Sequence, residues 1–419
     1  MVQQLHKKFI DEEVKSIFEK YLSKEIELEH ALQILGIKKR QFFKLLKEYR
    51  EAPDGFSIQY KRSTARRIKS SLERIIIKEL EKEKKMIENK DIPIKFYNYS
   101  YIKDQIYEKY QEKVSLPTII LRAKENDFYI PKKEKKIHDR EVITNYIGEL
   151  IQHDSSHHLW SPYAEAKWYL ITSLDDHSRF MLYAELIEKE TTWAHILALE
   201  SVFLTFGVPL RYYPDCHSIF RFVQGRDSIW REHRKLTDDV VTQWLQVLYD
   251  CNVQITYALS PQAKGKIERP YQWLQDRLVR TCARENVKRI EPAREILRHE
   301  IDRYNNRQVH STTREIPAIR FERAIKEKKT LFREFKIKPP FLSTKDIFCL
   351  KDERTVDAYH KISINNLQLK VQGAPIREKI QLRMYPNMET GLVEVRFWYK
   401  NKLIEVYNVK NSDINLVHF

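Results

Sequence analysis

The stretch GELIQHDSSHHLW (148–160), followed by KWYLITSLDD (167–176), RFMLYAEL (179–186), TTWAHILALESVFLTFG (191–207) and LRYYPD (210–215), decides the fold. Three short apolar runs, a longer run of helical character and a further short run predict a mixed sheet with helices on its faces, an α/β architecture. Asp154 closes ELIQHD and Asp215 closes LRYYPD, so both are expected at the carboxyl ends of strands, where such sheets gather reactive groups. Sixty residues separate them, enough for a hairpin, a strand and a helix to bring the chain back beside its starting strand.

A third carboxylate follows in SPQAKGKIERPYQWLQDRL (260–278), after the apolar run QITYAL (254–259). A helix beginning near Lys264 carries Glu268 one turn in, on a face shared with Lys264, Gln272 and Gln275. Three clustered carboxylates repel one another unless positive charge joins them. Magnesium, a hard ion held by one or two carboxylates together with phosphate oxygens, suits such a set, and a pair of ions about 3.5–4 Å apart assists in-line displacement at phosphorus. The expectation is therefore two Mg²⁺ ions on Asp154, Asp215 and Glu268, with Mn²⁺ able to substitute.

Competing residues have simpler readings. Asp175 and Asp176 in SLDDHSR fall at a hairpin, where aspartate favours turns. Asp238 and Asp239 follow Thr237 at the expected start of an apolar helix and suit capping. His153, His157 and His158 flank Asp154 without a matching Cys/His pair, which favours contact with substrate or water over zinc, while His217 either orients a phosphate or caps a turn. Trp244 and Trp273 are expected in the core. Lys264 and Lys266 either meet DNA phosphates or form a solvated helix end, and Arg269, Arg277, Arg280, Arg284, Lys288 and Arg289 are expected to give the following helical region a positive, backbone-gripping surface.

Outside this core, EIELEHALQILGIKKRQFFKLLKEYR (25–50) has two amphipathic stretches broken at Gly36, a helix-turn-helix pattern offering Lys38, Lys39, Arg40 and Lys44 to DNA, or else a helical hairpin with a solvated basic face. The usual Ser or Thr cap is replaced by Lys38. Residues 64–90 form a charged helical pattern stopped by Asp91-Ile92-Pro93, and a second helix-turn-helix pattern follows, with Ser115 capping a helix over 116–125 that carries Arg122 and Lys124. PKKEKKIHDR (131–140) reads as a basic linker. After Pro339-Pro340, VDAYHKISINNLQLKVQ, KIQLRMY, LVEVRFWY and KLIEVYNV alternate in period two around Asn365-Asn366, Pro386-Asn387 and Asn401-Lys402, predicting a small antiparallel β-barrel. The expected domains are 1–62, helix-turn-helix; 63–140, long helix, second helix-turn-helix and linker; 141–325, α/β core; and 340–419, β-barrel.

Lysine and arginine number 75 against 59 acidic residues, a net +16, which favours a polyanionic partner. Four scattered cysteines suggest neither a zinc knuckle nor a disulfide framework. No apolar run reaches the roughly 20 residues that span a bilayer, and the N-terminus lacks a signal-peptide core. A cytoplasmic protein is expected, with no membrane partner.

The runs GELIQHDSSHHLW, YLITSLDDHSRFMLYAEL, YPDCHSIFRF and SPQAKGKIERPYQWLQDRL together resemble the catalytic core of DDE-type insertion-sequence transposases in the retroviral-integrase superfamily. The resemblance covers about 146 to 325. It implies an RNase H-like fold and assigns the acidic triad to Asp154, Asp215 and Glu268. It further implies a prokaryotic, nucleoid-associated enzyme that cleaves transposon ends and transfers them into double-stranded target DNA, assembled as a homodimer or larger oligomer. The segment between Asp215 and Glu268 is longer than is usual in the superfamily, although the subfamily with YxDxHSxFR shares this length. The excess, rich in Arg226, Arg231 and Arg234, reads as an inserted DNA-contacting loop. No phosphate loop or covalent nucleophile is evident, in keeping with direct transesterification. The alternatives are a domesticated, non-cutting DNA-binding regulator and a stand-alone RNase H-like nuclease.

Overall fold

Leu28, Ala31, Leu32 and Leu35, then Phe42, Leu45 and Leu46, recur at helical spacing on either side of Gly36. In the computed structural model, which describes residues 5–59, 68–131, 144–215, 219–220, 241–257, 265–365 and 367–414, they form helices α2 (Leu28–Leu35) and α3 (Lys39–Glu51). Gly36 caps α2 at φ 65°, a left-handed conformation that suits a residue without Cβ. The preceding helix α1 (Asp11–Leu22) completes a small core in which Phe18 meets Phe42 edge-on at 5.3 Å, beside Ala31, Leu35, Leu46 and Phe56. These helices belong to a compact unit spanning Met1–Arg74, and the rest of the chain, Ile75–Phe419, forms a second.

The second unit begins within helix α4 (Ser70–Glu88) and continues through α5 (Tyr99–Tyr110) and α6 (Leu116–Glu125). Ser115 caps α6, its hydroxyl accepting from Thr118 N at 3.3 Å, and the helix spans the residues expected from that cap. A mixed sheet follows: β1 (Ile151–His158), β2 (Trp168–Asp175) and β3 (Met181–Ile187) run as an antiparallel meander. Helix α7 (Thr192–Phe206) leads to β4 (Arg211–Tyr213), and α8 (Gln243–Asp250) leads to β5 (Gln254–Ile255). The strand order is β3-β2-β1-β4-β5, with β4 parallel to β1 and β5 parallel to β4. The cap of α8 is Thr242, and Asp238 and Asp239 lie outside the described residues.

Helices α9 (Gly265–Arg284), α10 (Ile290–Asn306) and α11 (Pro317–Lys326) follow. One sheet face packs against α7 and α8, joining Ile151 and Tyr212 to Trp193, Leu199, Phe203 and Trp244. The other packs Leu170, Leu174 and Leu186 against Tyr271, Leu274, Leu278 and Leu297 of α9 and α10. Trp244 is fully buried, whereas Trp273 is partly buried beside Tyr304.

The C-terminal strands are β6 (Leu350–Thr355), β7 (Lys361–Ile364), β8 (Leu367–Lys370), β9 (Lys379–Asn387), β10 (Leu392–Tyr399) and β11 (Lys402–Lys410). The expected barrel is corrected here. Among the described residues, the strands form an open antiparallel sheet, β11-β10-β9-β6, and a separate β7-β8 hairpin. Closure is one way to hide an apolar face, and covering it is another. Here α7 and α8 cover it: Trp193 meets Tyr385 edge-on at 5.1 Å, Phe203 meets Phe348, and Gln243 exchanges hydrogen bonds with the Lys351 backbone. No helix among the described residues is long and apolar enough to cross a membrane.

Candidate active site

The parallel pairing of β1 with β4 sets Ile151 beside Tyr212 and Gln152 beside Tyr213. Two residues further along each chain stand Asp154 and Asp215, beyond the last paired residues of this register. Their positions differ from expectation in one respect. Asp154 lies within β1, which runs on to His158 because its backbone pairs with β2 as far as Trp168, while Asp215 lies just past the end of β4. Both are partly exposed.

Side chains alternate across a strand, so Asp154 shares a face with Ser156 and with its cross-strand partner Thr172. That face meets α9. Tyr271 and Thr172 join their hydroxyls at 2.7 Å, and Gln275 Nε2 donates to Ser156 Oγ at 3.4 Å. Glu268 occupies α9 one turn before Tyr271 and two turns before Gln275, so its helical position falls on the Asp154 side of the sheet. The side chains of Glu268 and Lys266 lie outside the described residues, as do Lys264, His217, Arg226, Arg231 and Arg234 altogether. The expected inserted loop therefore falls mostly outside them too.

Tyr271 reports the electrostatics of this corner. Burial pushes its hydroxyl far above the ordinary value, and the negative charges of Asp154, Glu190 and Asp215 push it further. Asp154, Glu190 and Asp215 thus each act on one buried hydroxyl, and carboxylate oxygens are hard donors whose chemistry fits a divalent cation such as magnesium. Among the described residues, no group of three or more His, Cys, Asp or Glu side chains is placed to hold a metal.

The neighbouring candidates have structural work. Asp175 accepts from Gly148 N and from the backbone and hydroxyl of Ser178; Asp176 accepts from Thr144, Gln152 and Arg179. Both are buried within the β2-β3 turn that the sequence suggests. His153 does not face substrate or water. It points to the opposite side of the sheet, fully buried, with Nδ1 2.9 Å from Ser173 Oγ and Nε2 2.9 Å from His195 Nδ1. His195 Nε2 lies 3.0 Å from Glu190 Oε1, which also accepts from Ser155. His157 stacks on Tyr169, and His158 meets Trp160 edge-on, its pKa pushed down by burial and then by Lys167 and His157.

The positive surface expected beyond Glu268 is corrected in part: Arg269, Lys288 and Arg289 are exposed, but the three arginines between them are not. Arg277 and Arg280 are buried, and Arg284 turns its guanidinium inward. Arg277 pairs with Asp104 at 2.5 Å and Glu300 at 2.8 Å. Arg280 pairs with Glu83 and with Asp276 at 2.8 Å, and Arg284 pairs with Glu79 at 2.7 Å and Glu83 at 3.0 Å. These arginines fasten α4 and α5 onto α9. Sequence reasoning missed these acidic partners, although Glu79 and Glu83, one turn apart, form a stripe matching that of Arg280 and Arg284. It also missed Tyr271. Arg269 is exposed on α9, Lys38, Lys39, Arg40 and Lys44 are exposed on and beside α3, Lys124 is exposed on α6, and Arg122 pairs with Glu125 at 2.8 Å.

No protein-family model matches the chain. The protein named "Putative transposase y4bF" of Sinorhizobium fredii is 25% identical over 289 residues, 68% of this chain and 58% of its own length. The transposase for insertion sequence IS1202 of Streptococcus pneumoniae is 28% identical over 233 residues, 55% of this chain and 44% of its own length. The chain thus spans about half the length of these relatives. Among solved structures, a simian T-cell lymphotropic virus intasome chain has a TM-score of 0.34 at 11% identity, covering 73% of this chain and 95% of its own. The HTLV-2 integrase catalytic core domain solved with magnesium has a TM-score of 0.31 at 16% identity, covering 43% and 98%. On its sequence the chain is similar to these two transposases, one of them that of an insertion sequence, in keeping with the DDE-type, retroviral-integrase-superfamily resemblance of its three acidic segments.

Proposed function

We propose that the chain is a DNA transposase whose RNase H-like core cleaves transposon ends and joins the resulting 3′-hydroxyls to target DNA. The observation that carries the reading is the parallel β1-β4 pairing, which sets Gln152 beside Tyr213 two residues before Asp154 and Asp215, together with α9 lying against the Asp154 face of the sheet. Asp154, Asp215 and Glu268 would hold Mg²⁺ or Mn²⁺, two ions in the full assembly, and the metal would supply positive charge to the attacking and leaving oxygens. Asp154 enters from β1, where its backbone pairs with Thr172 of β2, so its position would be held by the sheet. Tyr271 ties α9 to Thr172, the cross-strand partner of Asp154, and thereby sets the helix turn that carries Glu268.

Lys38, Lys39, Arg40 and Lys44 on the first helical unit, and Arg122 and Lys124 on α6, would meet transposon-end DNA. Arg226, Arg231, Arg234, Lys264, Lys266 and Arg269 would grip backbone near the reaction, adding affinity and salt dependence more than sequence choice. The C-terminal sheet is a further DNA-binding element in this reading. The protein would work in the cytoplasm on the nucleoid, as a dimer or larger assembly that pairs two ends. The test uses labelled DNA flanking the coding gene, a target plasmid and Mg²⁺ or Mn²⁺. Wild type should give joined products, while Asp154→Asn, Asp215→Asn and Glu268→Gln should bind but not cut. Bound and uncut DNA with wild type would instead favour a regulator. Near-normal cutting by any one variant would remove that residue from the triad.

A further inference from the structure

Arg269 follows Glu268 directly, is exposed, and donates from Nη1 to the hydroxyl of Thr312 at 2.6 Å, a neutral partner. Thr312 belongs to the loop between α10 and α11. The loop is stiffly closed: His310 N donates to Glu315 O and Arg314 N to His310 O, both at 2.9 Å. The buried His310 ring accepts at Nδ1 from the backbone of Thr312 and Thr313, at 3.3 and 3.5 Å.

The charge around this loop is unbalanced. Arg179 pairs with Asp176, Arg307 with Asp302, and Arg320 and Arg323 share the single carboxylate Glu315. Arg320 Nε is buried without a hydrogen-bond partner. Arg269 and the exposed Arg314 add two guanidinium groups for which no acidic partner stands among the described residues. His310 registers the surplus: burial, then Arg179, Arg269 and Arg320, hold its ring down to about 4. The ring therefore stays neutral at physiological pH and keeps its acceptor role.

We propose that Arg269, anchored on Thr312, forms a seat for a DNA backbone phosphate, set one residue from Glu268 so that the strand is gripped next to the reacting position. The inference rests on the transposase reading and assigns to the 307–314 loop a DNA-binding role beyond closing the fold. Guanidinium suits the task because its planar donors meet two phosphate oxygens at once, and a hydroxyl-anchored arginine loses less freedom on binding.

The test measures affinity of the full chain for a fluorescent duplex of about 30 base pairs across a sodium chloride titration. Each phosphate contact contributes about 0.9 to the slope of log affinity against log salt. Arg269→Ala and Arg269→Gln should each lower the slope by about 0.9 with melting temperature unchanged. Thr312→Val, which keeps the charge, should keep the slope and bind about threefold more weakly, an effect sized as one lost hydrogen bond. Arg298→Ala, removing an exposed arginine paired with Glu295 on α10, should leave the slope alone. Slopes for both Arg269 variants equal to wild type would overturn the seat even if wild type cuts and joins DNA. Failure of wild type to bind the duplex at all would overturn the transposase reading together with the seat.

Discussion

Replacing Arg277 with methionine separates its observed role from the DNA contact expected of it. Arg277 is fully buried between Asp104 and Glu300, with its guanidinium over the Trp273 ring at 4.8 Å. Removing one partner of a buried ion pair typically costs about 3–5 kcal/mol, because the other charge stays behind in a poor solvent. Three features move the value to the low end. Asp104 keeps Arg303 at 3.2 Å, Glu300 keeps Arg303 at 3.4 Å, and Arg277 Nη1 already lacks a hydrogen-bond partner. The expected loss is about 3 kcal/mol, or about 6 °C in melting temperature at the roughly 2 °C per kcal/mol suited to a large unit. Arg277→Met/Glu300→Met, which leaves no orphaned charge at Glu300, should recover most of it. Differential scanning fluorimetry reads the stability and a salt titration on duplex DNA reads the contact. A single variant that melts like wild type but loses about 0.9 of salt slope would refute the buried-staple reading and restore Arg277 to the DNA surface.

Other perturbations probe the same framework. Because the folded value of His310 is depressed from 6.5 to about 4, the unfolded chain takes the proton first as pH falls. Stability should thus decline from about pH 6.5 towards pH 4, by about 2 kcal/mol after discounting for residual solvent around the ring. The gap in urea stability between wild type and His310→Asn should shift by that amount over the window, and a pH-independent gap would show that the ring titrates normally. Tyr271→Phe leaves the Thr172 hydroxyl without its partner, at about 1–2 kcal/mol. If Tyr271 positions α9, this variant should lower kcat for strand transfer about tenfold with KM nearly unchanged, and an unaltered kcat would refute that role. Gly148 has φ +72°, and a Cβ there would stand 2.7 Å from the Phe332 ring, whereas one at Gly36, also left-handed, would meet nothing within 4 Å. Gly148→Ala should therefore cost at least about 2 kcal/mol and Gly36→Ala about 1 kcal/mol by thermal unfolding, and equal costs would refute the steric account.

What the sequence makes legible here is local. Helix α6 spans 116–125 as expected because its start depends on one hydroxyl, Ser115, and one proline at its first turn. The meander, α7 and β4 follow from runs whose period and bounding residues lie within the same few positions. The extent of β1 was harder to see: HDSSHH after the apolar run looks like a strand end, yet backbone pairing with β2 carries the strand to His158. Backbone hydrogen bonds do not depend on apolar side chains, so composition alone misses them. The barrel failed for a related reason, since period two tells that one sheet face is apolar but not whether another part of the sheet or a helix will cover it.

The basic stripe of α9 shows where such reading stops. Arginines at helical spacing look alike whether they face solvent or an acidic helix, and the partners of Arg280 and Arg284 on α4 lie about 200 residues earlier in the chain. Burial of these charges is tolerable only because several carboxylates meet several guanidinium groups. Glu83 feels the strain, its pKa raised by burial despite Arg280 and Arg284, whereas Glu79, less deeply buried and held by Lys82 and Arg284, is lowered. The two shifts pull in opposite directions within one network, and the network's geometric consequence is what bears on the site. One end of α9 is clamped by α4 and α5, while Tyr271 and Gln275 tie the turns near its start to β1 and β2. A helix restrained at both places can hold the Glu268 position to the Asp154 side of the sheet without a strand of its own, which is what the proposed triad requires of a carboxylate carried on a helix.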